Sequence, residues 1–173
     1  MLRSCLLLIA IATAYIPVFG QEPPPPPTER GAIKRAMEAS IKKDLLGKWY
    51  PQSIDKQYGG FLSTFTYDFK PTGEQDKMIV TQSRHTWTNA KAALRYPAID
   101  HFKEGARHGF AFLQNVMWDK TFGGFYQLVD RQGNVKGGDM KTAYGNAFGL
   151  YALAAYYKQS EDTAALRLAK ETF

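Results

Sequence analysis

DKQYGGF at residues 55–61 and DKTFGGF at residues 119–125 are two copies of one seven-residue motif. Their starting positions differ by 119 minus 55, or 64 residues. A motif repeated at a fixed separation is typical of a repeated supersecondary unit. Its two glycines suit a sharp turn, since glycine reaches positive φ without steric cost, and a structural role is favoured for them. The spacing predicts two stacked units and a fragment of a third.

Each predicted unit is a helix, a glycine-pair loop with a small hairpin, and another helix. In the first helix Ile33, Met37, Ile41 and Leu45 recur every four residues, which predicts an amphipathic helix capped by Thr28. Residues 62–69 alternate enough to predict a short strand, and RQGN at 131–134 predicts a hairpin turn. Further helices are expected over about 75–96, 99–116 and 141–157, with a fifth capped by Ser160. A ring of six units would need roughly 6 × 64 residues, so we expect this chain to be truncated.

The N-terminal residues have the composition of a targeting segment. Residues 1–20 combine Arg3 with an apolar run, which predicts a cleaved signal peptide and a secreted or periplasmic protein. An uncleaved membrane anchor is the alternative. Residues 21–30 contain five consecutive prolines and predict a stiff linker, followed by one folded domain over 31–173. Because the only cysteine, Cys5, lies in the signal, no disulfide or cysteine metal ligand is expected.

The composition is typical of a globular protein, and its charge pattern does not favour a nucleic-acid groove; no stable membrane association is expected once the signal is cleaved. The chain has 22 Lys and Arg against 16 Asp and Glu, and the basic residues are mixed with acidic ones along predicted helices. Aromatic residues make up 14% of the chain. Aromatic side chains are common in cores and also in sugar-binding clefts, where a flat ring covers the C–H face of a pyranose.

The stretch TQSRHTWTNAKAA at 81–93 carries the first set of candidate ligand-binding residues. On a helix Arg84, Trp87 and Lys91 share a face, whereas His85 and Asn89 point elsewhere. A guanidinium offers a fork of donors to neighbouring sugar oxygens, and an indole offers a stacking plane. The alternative is an arginine stacked on a tryptophan and paired with a loop carboxylate.

The second glycine-pair unit carries further candidates. Tyr126 follows the second glycine pair, and from the residues alone a core position and a cleft position are equally open. In the helix after it, Lys141, Tyr144, Phe148 and Tyr151 form one stripe. This spacing predicts an inner helix of an all-α core and does not by itself identify a ligand.

SRHTWTNA at 83–90, MWDKTFGGFYQLVDRQG at 117–133 and KTAYGNAFGLYALAAYYKQSEDTAAL at 141–166 resemble the N-acylglucosamine 2-epimerase and cellobiose 2-epimerase superfamily. The resemblance spans about residues 33–173 and implies an all-α (α/α)6 barrel, of which this chain holds about the first five helices. It implies a sugar 2-epimerase or aldose–ketose isomerase that acts on a mono- or disaccharide without a cofactor or metal.

The same resemblance implies roles for individual residues. It assigns to Arg84 the stabilisation of the opened carbonyl end of the sugar, and it places Trp87, Tyr126 and Tyr144 at the substrate cavity. The family often has histidine two residues before the arginine, whereas this chain has Gln82. That departure leaves the substrate uncertain.

The reaction implied by the resemblance needs a base next to a stabilised enediolate. The family takes its two acid/base histidines from later inner helices, and His85, His101 and His108 are not assigned to catalysis here. A glycoside hydrolase is one alternative, but Asp55, Asp119, Asp130 and Asp139 lie in predicted loops and no spacing marks a catalytic pair. A non-catalytic carbohydrate-binding fragment is the other.

Overall fold

The computed structural model describes residues 26–173. The predicted signal peptide and the first half of the predicted linker lie outside this range. The chain divides into a unit that ends at Met37 and a second unit, Glu38–Phe173. Within residues 26–173, no helix is both long and apolar enough to cross a membrane.

The described residues are mainly helical. The α-helices are α1 (Pro27–Ser40), α2 (Gly47–Trp49), α3 (Ile79–Arg95), α4 (Asp100–Phe112), α5 (Ala143–Ser160) and α6 (Thr163–Thr172). Two π-helical segments, Ile41–Leu46 and Leu113–Met117, follow α1 and α4. The strands β1 (Lys77–Met78) and β2 (Leu128–Val129) pair antiparallel, with Lys77 opposite Val129.

Most predicted helices are confirmed, with differences at their ends. The predicted helix over 75–96 begins at Ile79, because Lys77 and Met78 pair with β2 instead. The predicted turn at 131–134 is confirmed: the amide of Gly133 donates to the carbonyl of Asp130. The predicted strand over 62–69 is wrong, since only the isolated pairing of Phe65 with Pro71 forms there.

Two predicted helix caps are also wrong. Ser160 is the last residue of α5, and its hydroxyl donates to the carbonyl of Tyr156. The cap of α6 is Asp162, whose carboxylate accepts from the amide of Ala164. Thr28 lies inside α1, which begins at Pro27; proline suits a first helical position because its missing N–H has no partner there.

The predicted apolar stripe of the first helix is not buried. Ile33, Met37, Ile41 and Leu45 are all exposed, and α1 has no buried residue. The predicted helix is therefore present, but its apolar face is exposed to solvent.

The core lies where α3 packs against α4 and α5, and where α5 packs against α6. Phe125, Ile79 and Leu153 are fully buried in its larger cluster. Two glycines allow the close approach of the elements. A Cβ on Gly149 would lie 2.4 Å from the Phe125 ring, and one on Gly109 would lie 2.2 Å from Thr86 Oγ1.

The 64-residue repeat reappears in the contacts of the two glycine-pair loops. In each loop one oxygen of the aspartate accepts from two backbone amides, those of Gln57 and Tyr58 for Asp55 and those of Thr121 and Phe122 for Asp119. Gly59, Gly60, Gly123 and Gly124 all have positive φ. An L-residue rarely adopts that conformation, so the structural role predicted for the glycines follows from the backbone.

Each loop is held by an amide side chain of the long helix that follows it and by a lysine just before that helix. Gln82 Oε1 accepts from the amide of Phe61 at 2.7 Å, and Asn146 Oδ1 accepts from the amide of Phe125 at 2.9 Å. The second oxygen of each aspartate accepts from a lysine, Lys77 for Asp55 and Lys141 for Asp119. The two residues of each equivalent pair are 64 positions apart. The repeat in the sequence is therefore also a repeat in the hydrogen bonds.

Asp55 has an additional partner from the second unit of the repeat. Arg131 Nε donates to Asp55 Oδ2 at 3.0 Å, and the Lys77 ammonium donates to the carbonyl of Arg131 at 2.9 Å. Burial alone would raise the pKa of the Asp55 carboxyl, but hydrogen bonds from Arg131 and Lys77 outweigh it and lower the pKa to about 2. The carboxylate is therefore charged at neutral pH and joins the two repeats.

We predict that Asp55→Asn destabilises the chain by about 3 kcal/mol at neutral pH, because it leaves the buried Lys77 ammonium without its counter-ion. The wild-type carboxylate stabilises the fold above its unfolded pKa of 3.8, and this contribution is lost as the pH falls towards the folded value of about 2. Urea unfolding between neutral and acid pH measures both effects. The control Asp68→Asn, at an exposed pair with Lys70, should change stability little; equal losses in the two variants would contradict the role of Asp55.

Candidate functional site

A cleft of about 630 Å³ opens between α3 and α5. Its walls are mainly aromatic and apolar, with one charged group. The lining residues are Arg84, Trp87, Thr88, Tyr144, Ala147, Phe148 and Tyr151. The structure thus brings together three of the four predicted site residues, Arg84, Trp87 and Tyr144.

Arg84 has no carboxylate partner among the described residues. Its guanidinium lies over the Phe148 ring, 5.4 Å from the ring centre, and its side chain is exposed to the cleft. The alternative of an arginine satisfied by a loop carboxylate and stacked on tryptophan is therefore wrong for this structure. A positive charge without a counter-ion at an aromatic wall leaves its five donors available to ligand oxygens.

Only part of the Trp87 ring is free to stack on a ligand. Its indole stacks on the Tyr151 ring, with centres 5.1 Å apart and planes 16° from parallel. One face of the indole is therefore taken by protein, and a ligand meets the other face or the ring edge. Lys91, on the same face of α3 as predicted, has its ammonium 5.9 Å from the indole centre.

Tyr144 belongs to the predicted stripe on α5. Its ring makes an edge contact with Phe148 at 4.9 Å, and Phe148 in turn contacts Tyr151 at 6.3 Å. Lys141, the fourth member of the stripe, lies before the first residue of α5 and pairs with Asp119 instead of lining the cleft.

Tyr126 lies apart from the lining of this cleft. It follows the second glycine pair, and its ring centre is 5.3 Å from the Lys141 ammonium. Burial, and then the neighbouring Asp119 charge, raises the pKa of the Tyr126 hydroxyl. The structure places Tyr126 beside an ion pair at the loop, and its predicted role in the substrate cavity stays a prediction.

A second hollow of about 450 Å³ lies on the other flank of α3. It shares Arg84 and Thr88 with the cleft and adds Trp49, Tyr50 and His85. The residues of α3 alone do not predict this hollow, because Trp49 and Tyr50 in its aromatic wall come from the end of the preceding helix. His85 therefore does face a cavity, although a different one from the cleft beside Trp87.

His85 is held tightly by aromatic neighbours. Its ring stacks on Phe61 at 4.8 Å, and Nδ1 lies 2.8 Å from the Tyr50 hydroxyl. Burial lowers the pKa of His85 to about 4 and raises the pKa of Tyr50. The imidazole is therefore neutral at pH 7, and with its proton on Nε2 it accepts a hydrogen bond from Tyr50.

Gln82 and the two histidines His101 and His108, none of which was predicted to bind substrate, lie outside the cleft lining. Gln82 is buried and binds both the amide and the carbonyl of Phe61, so it contacts the loop and is not among the residues that line the cleft. His108 Nε2 lies 2.8 Å from the carbonyl of Gly60. His101 Nε2 is buried without a hydrogen-bond partner in the described structure.

Among the described residues that line the cleft there is no carboxylate or histidine. Asp55 and Asp119 are engaged with lysines, and Asp130 binds the side chain of Asn134. In residues 26–173 no group of three or more His, Cys, Asp or Glu side chains could hold a metal ion. The cleft can thus bind and polarise an oxygen-rich ligand, but its described lining offers neither of the commonest proton-transfer groups, an imidazole or a carboxylate.

The chain is similar to sugar 2-epimerases and to a sugar isomerase. A model of the N-acylglucosamine 2-epimerase (GlcNAc 2-epimerase) family matches residues 59–173. A cellobiose 2-epimerase of Ruminococcus albus is 33% identical over 140 residues, which cover 79% of this chain and 36% of that protein. One from Dictyoglomus turgidum is 34% identical over 142 residues, which cover 80% and 36%.

Solved structures with a similar fold also include a sugar epimerase and a sugar isomerase. A cellobiose 2-epimerase from Spirochaeta thermophila superimposes with a TM-score of 0.73 at 36% identity, covering 86% of this chain and 37% of that one. A D-mannose isomerase superimposes with a TM-score of 0.71 at 26% identity, covering 80% and 34%. The predicted all-α fold of the (α/α)6 barrel type is confirmed. The chain spans about 36% of the length of the curated relatives.

We predict that stability falls as the pH drops from the unfolded pKa of His85, 6.5, towards its folded pKa of about 4. In that interval the unfolded chain binds the proton and the folded chain does not, so acid favours unfolding. At 1.36 kcal/mol per unit the loss approaches about 3 kcal/mol. Urea unfolding across this pH interval gives the slope. His85→Phe should remove the loss and His108→Gln should keep it; an unchanged slope in His85→Phe would refute the assignment.

Proposed function

Because the chain belongs to the N-acylglucosamine 2-epimerase family, we propose that it forms the Arg84-bearing part of a sugar 2-epimerase or aldose–ketose isomerase. The substrate in this proposal is a mono- or disaccharide that reacts as the open-chain carbonyl form. The observation that carries the proposal is the unpaired Arg84 guanidinium in an aromatic cleft.

The chemistry of the reaction explains why such an arginine is useful. The C–H bond next to a sugar carbonyl is a weak acid, and its deprotonation develops negative charge on the carbonyl oxygen. A guanidinium that already lacks a counter-ion stabilises that charge without first breaking a salt bridge. The ring of Phe148 holds the guanidinium by a cation–π contact while leaving its N–H edges free.

The aromatic wall supports a saccharide over a charged metabolite. Trp87, Tyr144 and Tyr151 offer flat surfaces and polar ring edges, which suit the alternating C–H and O–H groups of a sugar. Arg84 is the only charged residue in the lining. Such a wall binds a neutral polyol without requiring a second charge.

The described lining of the cleft has no histidine or carboxylate to serve as the proton-transfer group of the proposed reaction. In this proposal that group comes from a part of the barrel beyond the third of the relatives' length that the chain spans. A glycoside hydrolase is less well supported, because that reaction needs two carboxylates across the bond and the lining contains none. The apolar stretch in residues 1–20 supports a secreted or periplasmic location as part of the same proposal.

We predict that the chain binds cellobiose or mannose weakly and that Arg84→Met lowers the affinity about ten-fold, the loss expected for charged hydrogen bonds. Saturation-transfer NMR, with the dissociation constant from a ligand titration, measures the effect. Arg84→Lys keeps the charge but not the fork of donors, and should fall between the two.

The matched control is Arg95→Met, which removes an exposed arginine at the C-terminal end of α3 that pairs with Glu38 and lies outside the cleft lining. It should leave sugar binding unchanged. Equal affinity in the wild type and Arg84→Met would refute the role of Arg84. In a polypeptide that carries the whole barrel, Arg84→Ala should nearly abolish turnover while the fold is retained.

A further inference from the structure

The two aspartate–lysine pairs of the repeat differ in how many partners they have. The Lys77 ammonium donates to Asp55 Oδ2, to the carbonyl of Gly59 and to the carbonyl of Arg131. The Lys141 ammonium, its counterpart 64 residues later, donates only to Asp119 Oδ2 in the described structure. The Lys77 side chain is fully buried, whereas that of Lys141 is 21% exposed.

The same difference holds for the two carboxylates. Asp55 receives Arg131 Nε at 3.0 Å and Nη2 at 3.3 Å. Asp119 receives no guanidinium from any described residue, although its loop amides and its lysine match those of Asp55. The second site is therefore the first site without its arginine.

The backbone beside the lysine also differs. At the first site β1 pairs with β2, and the amide of Ile79 donates to the carbonyl of Gln127. The corresponding residues of the second site, 141–143, have no strand pairing within residues 26–173. An unpaired edge exposes backbone donors and acceptors that a further strand can satisfy.

From these three differences we propose that Asp119, Lys141 and the edge at 141–143 form a docking site for a strand–turn segment that carries an arginine. The occupant is the β2-type segment of a further unit of this repeat. It pairs antiparallel with residues 141–142, directs its arginine to Asp119 and its turn carbonyl to Lys141, as residues 128–131 do at the first site.

A second copy of this chain does not fit that description. Its own Arg131 already binds its own Asp55 with two nitrogens, so its segment would have to leave a buried ion pair. The partner is accordingly a unit whose arginine is not engaged elsewhere. Docking would cover Lys141 and the neighbouring Tyr126 ring, and so would hold the second glycine-pair loop as rigidly as the first.

The test uses the whole chain and a cyclic peptide of residues 127–137, closed so that the hairpin is preformed. The peptide is titrated into ¹⁵N-labelled chain, and the amide shifts of Thr121, Phe122, Lys141 and Thr142 are followed. We expect saturable shifts at these amides in the millimolar range. The peptide with Arg131→Gln should bind at least about ten-fold more weakly, since it lacks the charged hydrogen bonds.

Two chain variants separate docking from loop damage. Asp119→Asn keeps an oxygen that accepts from Thr121 and Phe122 but loses the charge, and it should weaken binding as strongly as the altered peptide. The control Asp139→Asn removes a nearby exposed carboxylate and should bind like the wild type.

Three results would overturn the proposal. These are the absence of shifts at millimolar peptide, equal binding of the two peptides, and shifts confined to Gln57 and Tyr58. The last would mean that the peptide merely displaces the chain's own Arg131 segment at Asp55.

Discussion

The pairing of a loop aspartate with the lysine that precedes the next long helix determines the geometry on which the rest depends. One carboxylate oxygen accepts hydrogen bonds from two loop amides, and the other accepts one from the lysine ammonium. A single aspartate side chain therefore connects the glycine-pair loop to the start of the helix. At the first site the charges lie in the protein interior, where an unpaired ion would be costly. The helix that carries Arg84 is thereby held at a defined position relative to its loop.

The position of Arg84 follows from that arrangement. Gln82, two residues earlier, binds the loop on one side of α3. Residue 84 is consequently turned towards α5 and the cleft, where Phe148 supports it. The residue 64 positions after Arg84 is Phe148 itself. Arg84 and the phenylalanine that it contacts, Phe148, therefore occupy equivalent positions in the two repeats.

Local signals were sufficient to predict much of this. The glycine pairs predicted the loops because positive φ has few other solutions, and helical spacing predicted that Arg84 and Trp87 share a face. Ser160 and Asp162 are both residue types that can cap a helix, and the backbone conformation between them determines which one does. Glu161 adopts a left-handed conformation that ends α5 after Ser160, which leaves Asp162 to begin α6.

Long-range contacts could not be predicted from one sequence. Asp55 and Arg131 are 76 residues apart, and no periodicity within either segment relates them. The hollow beside His85 lies between the end of the first helical segment and α3, and the periodicity of a single helix does not indicate which other segment it contacts. The exposure of the first apolar stripe could not be predicted either. Periodicity identifies an apolar face but does not indicate whether another segment covers it.

We proposed that the cleft between α3 and α5 binds an open-chain sugar through Arg84. A crystal structure of the chain soaked with mannitol, an acyclic polyol that resembles an opened hexose, tests this proposal. We expect electron density for mannitol in the cleft, with a hydroxyl oxygen within hydrogen-bonding distance of the Arg84 guanidinium. An empty cleft, with mannitol bound elsewhere or not at all at saturating concentration, would contradict it.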